Sequence, residues 1–536
     1  MQILSSAEMQ NCDRATSELF RVPSLQLMRA ASSAVAFVAR QRFPRARRIT
    51  VLCGRGNNGG DGMMAAHQLA SSGLDVTTIL LGSPEALKGD AAVAWQELSD
   101  SPFGHVYIVD SAEDLAHLDA SQSADLILDA VLGTGFKPPM QGLALAALEW
   151  IKRSHAPVLA VDLPSGWPAD ETRATIDSPV FPADAVVTFT APKPAHVFGE
   201  LTRGWDQPIV VAPIGSPDEA ILSGLNLAWA GSSHAVVEAA RPATSHKGSF
   251  GHVLVVGGAP GKSGAPAMAS LAAMRAGAGL VTAAVPTPVL ALVAAAAPEL
   301  MTYPLEATAS GRIAAENLSA GRLAALMQGI TVLAIGPGLG QDPETAKFTF
   351  ELLSDTKIPV VVDADALNLL AAQPDLLPKL AQNRTLVLTP HPGEMARLAG
   401  TTTAEIQSNR LESARNFALR YGVTVVLKGS RTLIAHPHGR VAVNTTGNPG
   451  MAKGGSGDLL TGVVAGLLAQ YPQRSDRAVE AAVFLHGLAA DLAVREGDEH
   501  TLLATDCLRH FSQAFRFRSR GANGYVWLQG LPGDAF

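Results

Sequence analysis

The residues best suited to chemistry lie in one stretch, Asn448-Pro449-Gly450-Met451-Ala452-Lys453-Gly454-Gly455-Ser456-Gly457-Asp458. Its glycines lead into an apolar helical pattern of Leu459, Leu460, Val463, Val464, Leu467 and Leu468. A glycine-rich loop that opens a helix offers unpaired backbone N–H groups and the positive end of the helix dipole to an anion. Asp458 is out of place there if a phosphate is its only neighbour, because like charges repel. It fits if it meets the attacking group instead. A carboxylate that takes a hydroxyl proton while N–H groups hold the transferring phosphoryl is the logic of phosphoryl transfer. The competing reading is a plain helix start, with Ser456 or Asp458 as the N-cap.

A second polar cluster stands early in the chain. The run Arg47-Arg48-Ile49-Thr50-Val51-Leu52-Cys53 reads as a strand and enters Gly54-Arg55-Gly56-Asn57-Asn58-Gly59-Gly60-Asp61-Gly62. A helix over Met63–Ser72 and a strand over Val76–Leu81 follow, which makes a βαβ unit with a ligand site at its first turn. The loop contains GxGxxG, but a dinucleotide site needs an acid near the end of the second strand. The only acid there, Asp75, precedes the strand. The oxygens of Asn57, Asn58 and Asp61 suit a hard cation or the hydroxyls of a sugar; an Asx-rich turn is the bland alternative. Asp129 and Asp162 each end a buried apolar run where a glycine-containing loop begins, and parallel strands bring such ends to one crevice. Asp125, at the opposite end of its strand, reads as structural. Lys193, in Thr190-Ala191-Pro192-Lys193-Pro194, reads as a solvated loop charge.

The second half repeats the pattern of polar or glycine residues at strand ends. Val332–Ile335 runs into Gly336-Pro337-Gly338-Leu339-Gly340, and Pro359–Val362 into Asp363-Ala364-Asp365. Thr385–Leu388 runs into Thr389-Pro390-His391-Pro392-Gly393-Glu394, and Val423–Leu427 into Lys428-Gly429-Ser430-Arg431-Thr432. Near Gly261-Lys262-Ser263 a P-loop would need glycine at position 256, where valine stands, so that assignment fails and Lys262 reads as a loop charge. Asp363 and Asp365 alternate, so one faces the groove and the other caps a helix. His391 has no HxxxH or cysteine companion and is not read as a metal ligand. Glu394 either meets a magnesium-bridged phosphate or caps a helix, and Lys428 either meets phosphate or marks a turn.

The elements that must position these residues are alternating strands and helices, an α/β pattern throughout. The chain has 536 residues, enough for several domains or two large ones, with 47% hydrophobic and 17% charged residues. A formal charge of −7 gives no broad basic surface, so nucleic acid is not an expected partner. Cys12, Cys53 and Cys507 lie far apart and suit a reducing compartment. No signal core or run long enough for a bilayer is present, so a cytoplasmic location and no membrane partner are expected. Residues 5–42 read as helical. Glycines and prolines between 213 and 245 place a domain boundary near 225.

GRGNNGGDG (54–62), DAVLGTGF (129–136) and VDLPSG (161–166) resemble the epimerase domain of the bifunctional NAD(P)H-hydrate repair enzymes. GPGLG, DADAL, TPHPGE, VVLKG and NPGMAKGGSGD resemble their ribokinase-like dehydratase domain. The resemblance implies a Rossmann-like three-layer αβα sandwich over 1–220, a ribokinase-like αβα domain over 221–515 and a C-terminal tail over 516–536. It implies that the first domain interconverts the R and S hydrates, NADHX and NADPHX. Its potassium ion would be held by Asn58, Asp129 and Ser165. Hydrate contacts would come from Asn57, Asn58, Gly59, Gly60, Asp61, Gly133, Thr134, Gly135, Phe136, Lys137, Pro138, Pro139 and Asp162, with Asp162 as the proton-transfer residue. After VDLPSG the family continues with Leu-Asp and an acidic turn, whereas this chain has Trp167-Pro168-Ala169-Asp170-Glu171, so the rim of the site departs from the pattern. The second domain would dehydrate the S hydrate with ADP and Mg2+. There Ala265, Gly338, His391 and Asp458 would contact the hydrate, and Lys428, Gly429, Ser430, Arg431, Thr432 and Gly457 the nucleotide, with Asp458 as the base. A homo-oligomer is expected. The alternative is a ribokinase-like kinase of a vitamin precursor, fused to a ligand-binding domain.

Overall fold

Short apolar runs bounded by glycine, proline or aspartate become buried strands. The structure, a computed structural model, describes residues 1–118 and 124–531. Two compact units are present, one built from Met1–Leu227 with the segment from Arg518, the other from Ala228–Phe517.

In the first unit the strands are β1 (Arg48–Cys53), β2 (Asp75–Leu81), β3 (His105–Val109), β4 (Leu126–Ala130), β5 (Val158–Val161), β6 (Ala185–Phe189) and β7 (Ile209–Ala212). All of them pair in parallel. Parallel strands covered on both faces carry apolar residues without alternation. Val51, Leu128, Leu159 and Val187 face a core shared with the helices Ser24–Arg42 and Asn57–Ser71. Leu52, Ile79, Ile127 and Val158 face a second core shared with the helix Gly142–Ile151. This is a three-layer αβα sandwich.

Three expectations are corrected here. The helix expected over 5–42 is two helices, Ser6–Glu18 and Ser24–Arg42. Arg21 takes φ +62° between them, and Pro23, which has no N–H to donate, stands at the start of the second. The helix expected from Met63 begins at Asn57, so the Asn57–Asp61 run is its first turn and not a preceding loop. The expected tail is not loose either. A late strand Val526–Gln529 pairs antiparallel with β7 and covers that edge of the first sheet; the end of the segment, 532–536, lies outside the described residues.

In the second unit a ten-stranded sheet begins with β8 (Leu227–Trp229), β9 (His252–Val256), β10 (Leu280–Pro286), β11 (Met301–Leu305) and β12 (Val332–Ile335). It continues with β13 (Val360–Val362), β14 (Leu386–Leu388), β15 (Thr424–Leu427), β16 (Leu433–Ala435) and β17 (Val441–Val443). The late strand of the first sheet is then β18. The two sheet orders are β18-β7-β6-β5-β4-β1-β2-β3 and β11-β10-β9-β12-β13-β14-β15-β16-β17-β8. The helix Ser456–Gln470 packs along β9, β12 and β13 and against the helix Gly264–Arg275, while Arg410–Tyr421 packs on β15 and β16. No described helix is long and apolar enough to cross a membrane.

Candidate active sites

The first sheet reverses its strand order at β1, which has β4 on one side and β2 on the other. A crevice opens at the carboxyl ends of strands at such a switch point. Into it go the start of the helix Asn57–Ser71, Asp129 at the end of β4 and Asp162 just beyond β5. Gly59 is required by close approach, since a Cβ there would lie 1.8 Å from the carbonyl oxygen of Gly54. Asn58 presents an amide whose Oδ1 and Nδ2 are both buried and without a partner among the described residues. Gly133 lies against it, 3.1 Å from its Cγ for a Cβ built there.

Asp129 is fully buried. Its carboxylate accepts from Ser165 N (2.7 Å), Ser165 Oγ (2.6 Å) and Val131 N (3.2 Å). Burial pushes its pKa up to about 6, against the pull of those bonds. Ser165 Oγ in turn accepts from Leu132 N at 2.8 Å, which fixes the loop that carries Gly133 and Thr134.

Asp162 adopts φ +65°, costly for a non-glycine residue and a mark of a constrained site. Its Oδ2 accepts from Thr134 N at 3.1 Å, and its Oδ1 from Thr188 Oγ1 (2.9 Å) and Lys193 Nζ (2.8 Å). Lys193 is therefore not a solvated loop charge. It is 2% exposed and forms a buried ion pair. Burial alone would push Asp162 up; the Lys193 ammonium outweighs it and holds the carboxyl below its usual range. His196 takes Lys193 N–H on Nδ1 (3.0 Å), so its Nε2 donates to the Asp162 carbonyl (2.7 Å), and burial lowers its pKa to about 4, leaving it neutral. Asp61 and Asp13 are both pushed up by burial and by the charge of Asp162, Asp13 to about 6. Of the remaining expected contacts, Phe136 packs against the second core, while Gly135, Lys137, Pro138 and Pro139 are exposed. Asp125 holds Arg47 N, Arg48 N and the Arg48 guanidinium at the far end of β4.

The second site lies along the carboxyl ends of the parallel neighbours β9, β12, β13, β14 and β15. The helix Ser456–Gln470 starts after Gly455 at φ +98°, with no side-chain cap, and Ser456 Oγ donates to the Met451 carbonyl instead (2.8 Å). Neither Ser456 nor Asp458 caps this helix; Ser456 N makes a long bond to the Lys453 carbonyl (3.5 Å), and the N–H groups of Gly457 and Asp458 stay available to an anion. Lys428 Nζ reaches under them, 3.4 Å from where a Gly457 Cβ would be. It bonds Asp363 Oδ1 at 3.0 Å and lies 3.7 Å from Glu394 Oε2. Thr461 Oγ1 donates to the other Asp363 oxygen at 2.7 Å. Burial works against the Lys428 ammonium, but Asp363, Glu394 and Asp458 hold it protonated. Asp458, half-buried and left without that direct bond, is pushed up to about 6 by burial and by Asp363.

Both acids of the DADA run are used, against the expectation that one only caps. Asp365 accepts from Lys262 Nζ (3.1 Å), Gly340 N (2.9 Å) and Gln341 Nε2 (3.1 Å), tying two loops together. Gly338 lies against Ala265. His391 caps the helix Pro392–Ala399 through Nδ1, and Glu394 reaches back to His391 N at 2.8 Å. Thr432 donates to the Gly429 carbonyl within its own loop, and Arg431 donates to the Thr445 carbonyl. Asp491, which no motif pointed to, takes Gly447 N and Asn448 Nδ2, each at 2.9 Å, and so anchors the loop that enters the glycine stretch.

Two family models match the chain. One, described as the YjeF-related protein N-terminus, covers residues 24–195, and one described as NAD(P)H-hydrate dehydratase covers 253–512. A bifunctional NAD(P)H-hydrate repair enzyme of Moorella thermoacetica is 42% identical over 518 residues, 95% of each chain. The chain belongs to the bifunctional NAD(P)H-hydrate repair enzyme family. Another member, from Escherichia coli, is 35% identical and covers 92% of this chain and 90% of its own. Among solved structures, an ADP/ATP-dependent NAD(P)H-hydrate dehydratase of Bacillus subtilis, co-crystallised with ATP and Mg2+, is 32% identical, covers 54% of this chain and 98% of that one, and has a TM-score of 0.46.

Proposed function

We propose that the first unit interconverts the R and S hydrates of NADH and NADPH and that the second removes water from the S hydrate at the expense of ADP. The observation that carries the second half is the uncapped helix start over Lys428 with Asp458 in its first turn. Hydroxide leaves a ring carbon poorly and phosphate leaves well. Asp458 accepts the proton of the hydrate's hydroxyl, and that oxygen attacks the terminal phosphoryl of ADP, releasing AMP. The N–H groups of the helix start and Lys428 hold the transferring group. The ring nitrogen then expels phosphate and leaves reduced nicotinamide. Mg2+ would neutralise charge on the ADP phosphates. Among the described residues no trio of His, Cys, Asp or Glu forms a cage, which suits an ion that arrives on phosphates and keeps its waters, with Glu394 as the carboxylate at hand.

In the first unit, the orphaned Asn58 amide, the Asp129 carboxylate and the Ser165 hydroxyl form an all-oxygen donor set that fits a potassium ion, which would fix the loops around the hydrate. Asp162, kept ionised by Lys193, is the base at the hydrated carbon. The deciding experiment incubates the purified chain with mixed hydrates and either ADP or ATP. Recovery of reduced-nicotinamide absorbance from both epimers with ADP is expected. A stable phosphorylated product without that recovery would exclude dehydration and favour a kinase.

A further inference from the structure

The helix Arg410–Tyr421 opens with a half-buried arginine that pairs with no carboxylate among the described residues. Its guanidinium reaches the loop after β15. Nη1 donates to the Ser430 carbonyl, and Nη2 lies 3.4 Å from the carbonyl oxygens of both Leu427 and Lys428. Among the described residues no acid pairs with it, and burial lowers its pKa. Partial burial of a cation without a counter-ion costs stability, which its bonds to the loop carbonyls offset. The N–H of a planar trans peptide points opposite its carbonyl, so holding the Leu427, Lys428 and Ser430 carbonyls on one side turns the N–H groups of Lys428, Gly429 and Arg431 to the other. Among the described residues the Gly429 N–H has no acceptor, whereas Lys428 N is taken by the Pro390 carbonyl (2.9 Å).

We infer that Arg410 is a positioning residue for the nucleotide: it clamps the carbonyls of Leu427, Lys428 and Ser430 so that the free N–H of Gly429 faces the phosphates of ADP. This rests on the proposed dehydratase reaction. The unpaired guanidinium beneath the loop also adds positive potential where the phosphates settle. A fork-shaped donor is needed for three carbonyls, so lysine is not an equivalent.

The test uses the full chain with Arg410→Met and Arg410→Lys. Dehydration of the S hydrate gives kcat and the KM for ADP, calorimetry gives the Kd for ADP, and epimerisation of the R hydrate reports on the rest of the chain. Arg410→Met should raise both KM and Kd for ADP roughly tenfold or more, with kcat within about threefold and epimerisation unchanged. Arg410→Lys should show the same split at smaller size, and it decides the matter if the methionine variant does not fold. An ADP Kd within about twofold of wild type in a folded variant overturns the inference, as does a fall in kcat with KM unmoved. Wild-type chain that fails to bind ADP at all overturns the functional reading instead.

Discussion

Replacing Asp458 by asparagine keeps the side chain's size and its place in the first turn of the helix Ser456–Gln470, and removes only its ability to take a proton. Loss of a positioned general base costs about a hundredfold to ten-thousandfold in rate. The wild-type rate itself carries the signature of this group. Because burial and Asp363 push Asp458 up to about 6, kcat for dehydration should fall about tenfold for each pH unit below that value and level off above it. Asp363→Asn removes the repulsion and frees Lys428, so the acid limb should move to lower pH. There is a stability consequence of opposite sign. Holding a carboxyl near 6 when its ordinary value is 3.8 costs up to ~3 kcal/mol at neutral pH, and nearer ~1 kcal/mol once its partial exposure is allowed for. The raised folded pKa means this cost grows as pH rises from 3.8 to about 6 and is absent below. Asp458→Asn should therefore melt higher than wild type at neutral pH and equally at pH near 3.8. The assay is absorbance recovery from S hydrate with saturating ADP, with R-hydrate epimerisation in the same preparation as the control. A variant that keeps more than about a tenth of the dehydration rate, or a wild-type rate flat from about pH 5 to about pH 8, refutes the assignment.

Lys193→Met strands Asp162 in a buried site; a loss of ~3 to 5 kcal/mol and of epimerisation is expected, with dehydration retained, by thermal melting and the two assays. In wild type the lowered Asp162 pKa gives stability that is present above 3.8 and lost as pH falls through the still lower folded value; Lys193→Met should lose that dependence. From the proposed potassium site it follows that exchanging potassium for tetramethylammonium should lower the melting temperature of wild type and leave Asn58→Ala unmoved. Asp491→Ala orphans Gly447 N and Asn448 Nδ2 and should cost ~1 to 3 kcal/mol and most of the dehydration rate. Asp491→Asn should be mild below neutral pH, since burial already holds that carboxyl near 7.

The strand ends were legible because parallel strands buried on both faces are short apolar runs, and the residue after each run must sit at the crevice. That places Asp129, Asp162, Asp363 and Lys428 without any knowledge of pairing. The helix starts at Asn57 and Ser456 read as loops in the sequence, because glycine is a poor helix former. First-turn N–H groups have no intrahelical partner to lose, so glycine there costs no hydrogen bond and leaves room for a ligand. Lys193 reads as a loop charge because nothing local in Thr190-Ala191-Pro192-Lys193-Pro194 says that its ammonium meets a carboxylate on another strand end. Asp491 lies in a helix buried almost throughout, and Arg410 opens a helix; each spends its charge on backbone groups of a distant loop, which leaves no spacing rule to find it. The strand Val526–Gln529 carries no local signal of its pairing, because its partner, β7, lies far away in sequence.

The two sites put the same pair of residue types, an aspartate and a lysine, at strand ends and draw opposite properties from them. In the first, Lys193 bonds the functional carboxylate itself, so Asp162 stays ionised although it is buried. In the second, Lys428 bonds Asp363, which leaves Asp458 with burial and a like charge and without a direct cation. Environment, not residue type, thus sets each acid to its task. An acid near 6 gives up its proton before neutral pH yet binds one strongly enough to draw it from a hydroxyl. Lys428 is held charged by Asp363, Glu394 and Asp458, as the proposed contact with the phosphoryl group of ADP requires. Asp363 is then the residue that tunes both, and its second oxygen is kept in place by Thr461, one helical turn below Asp458.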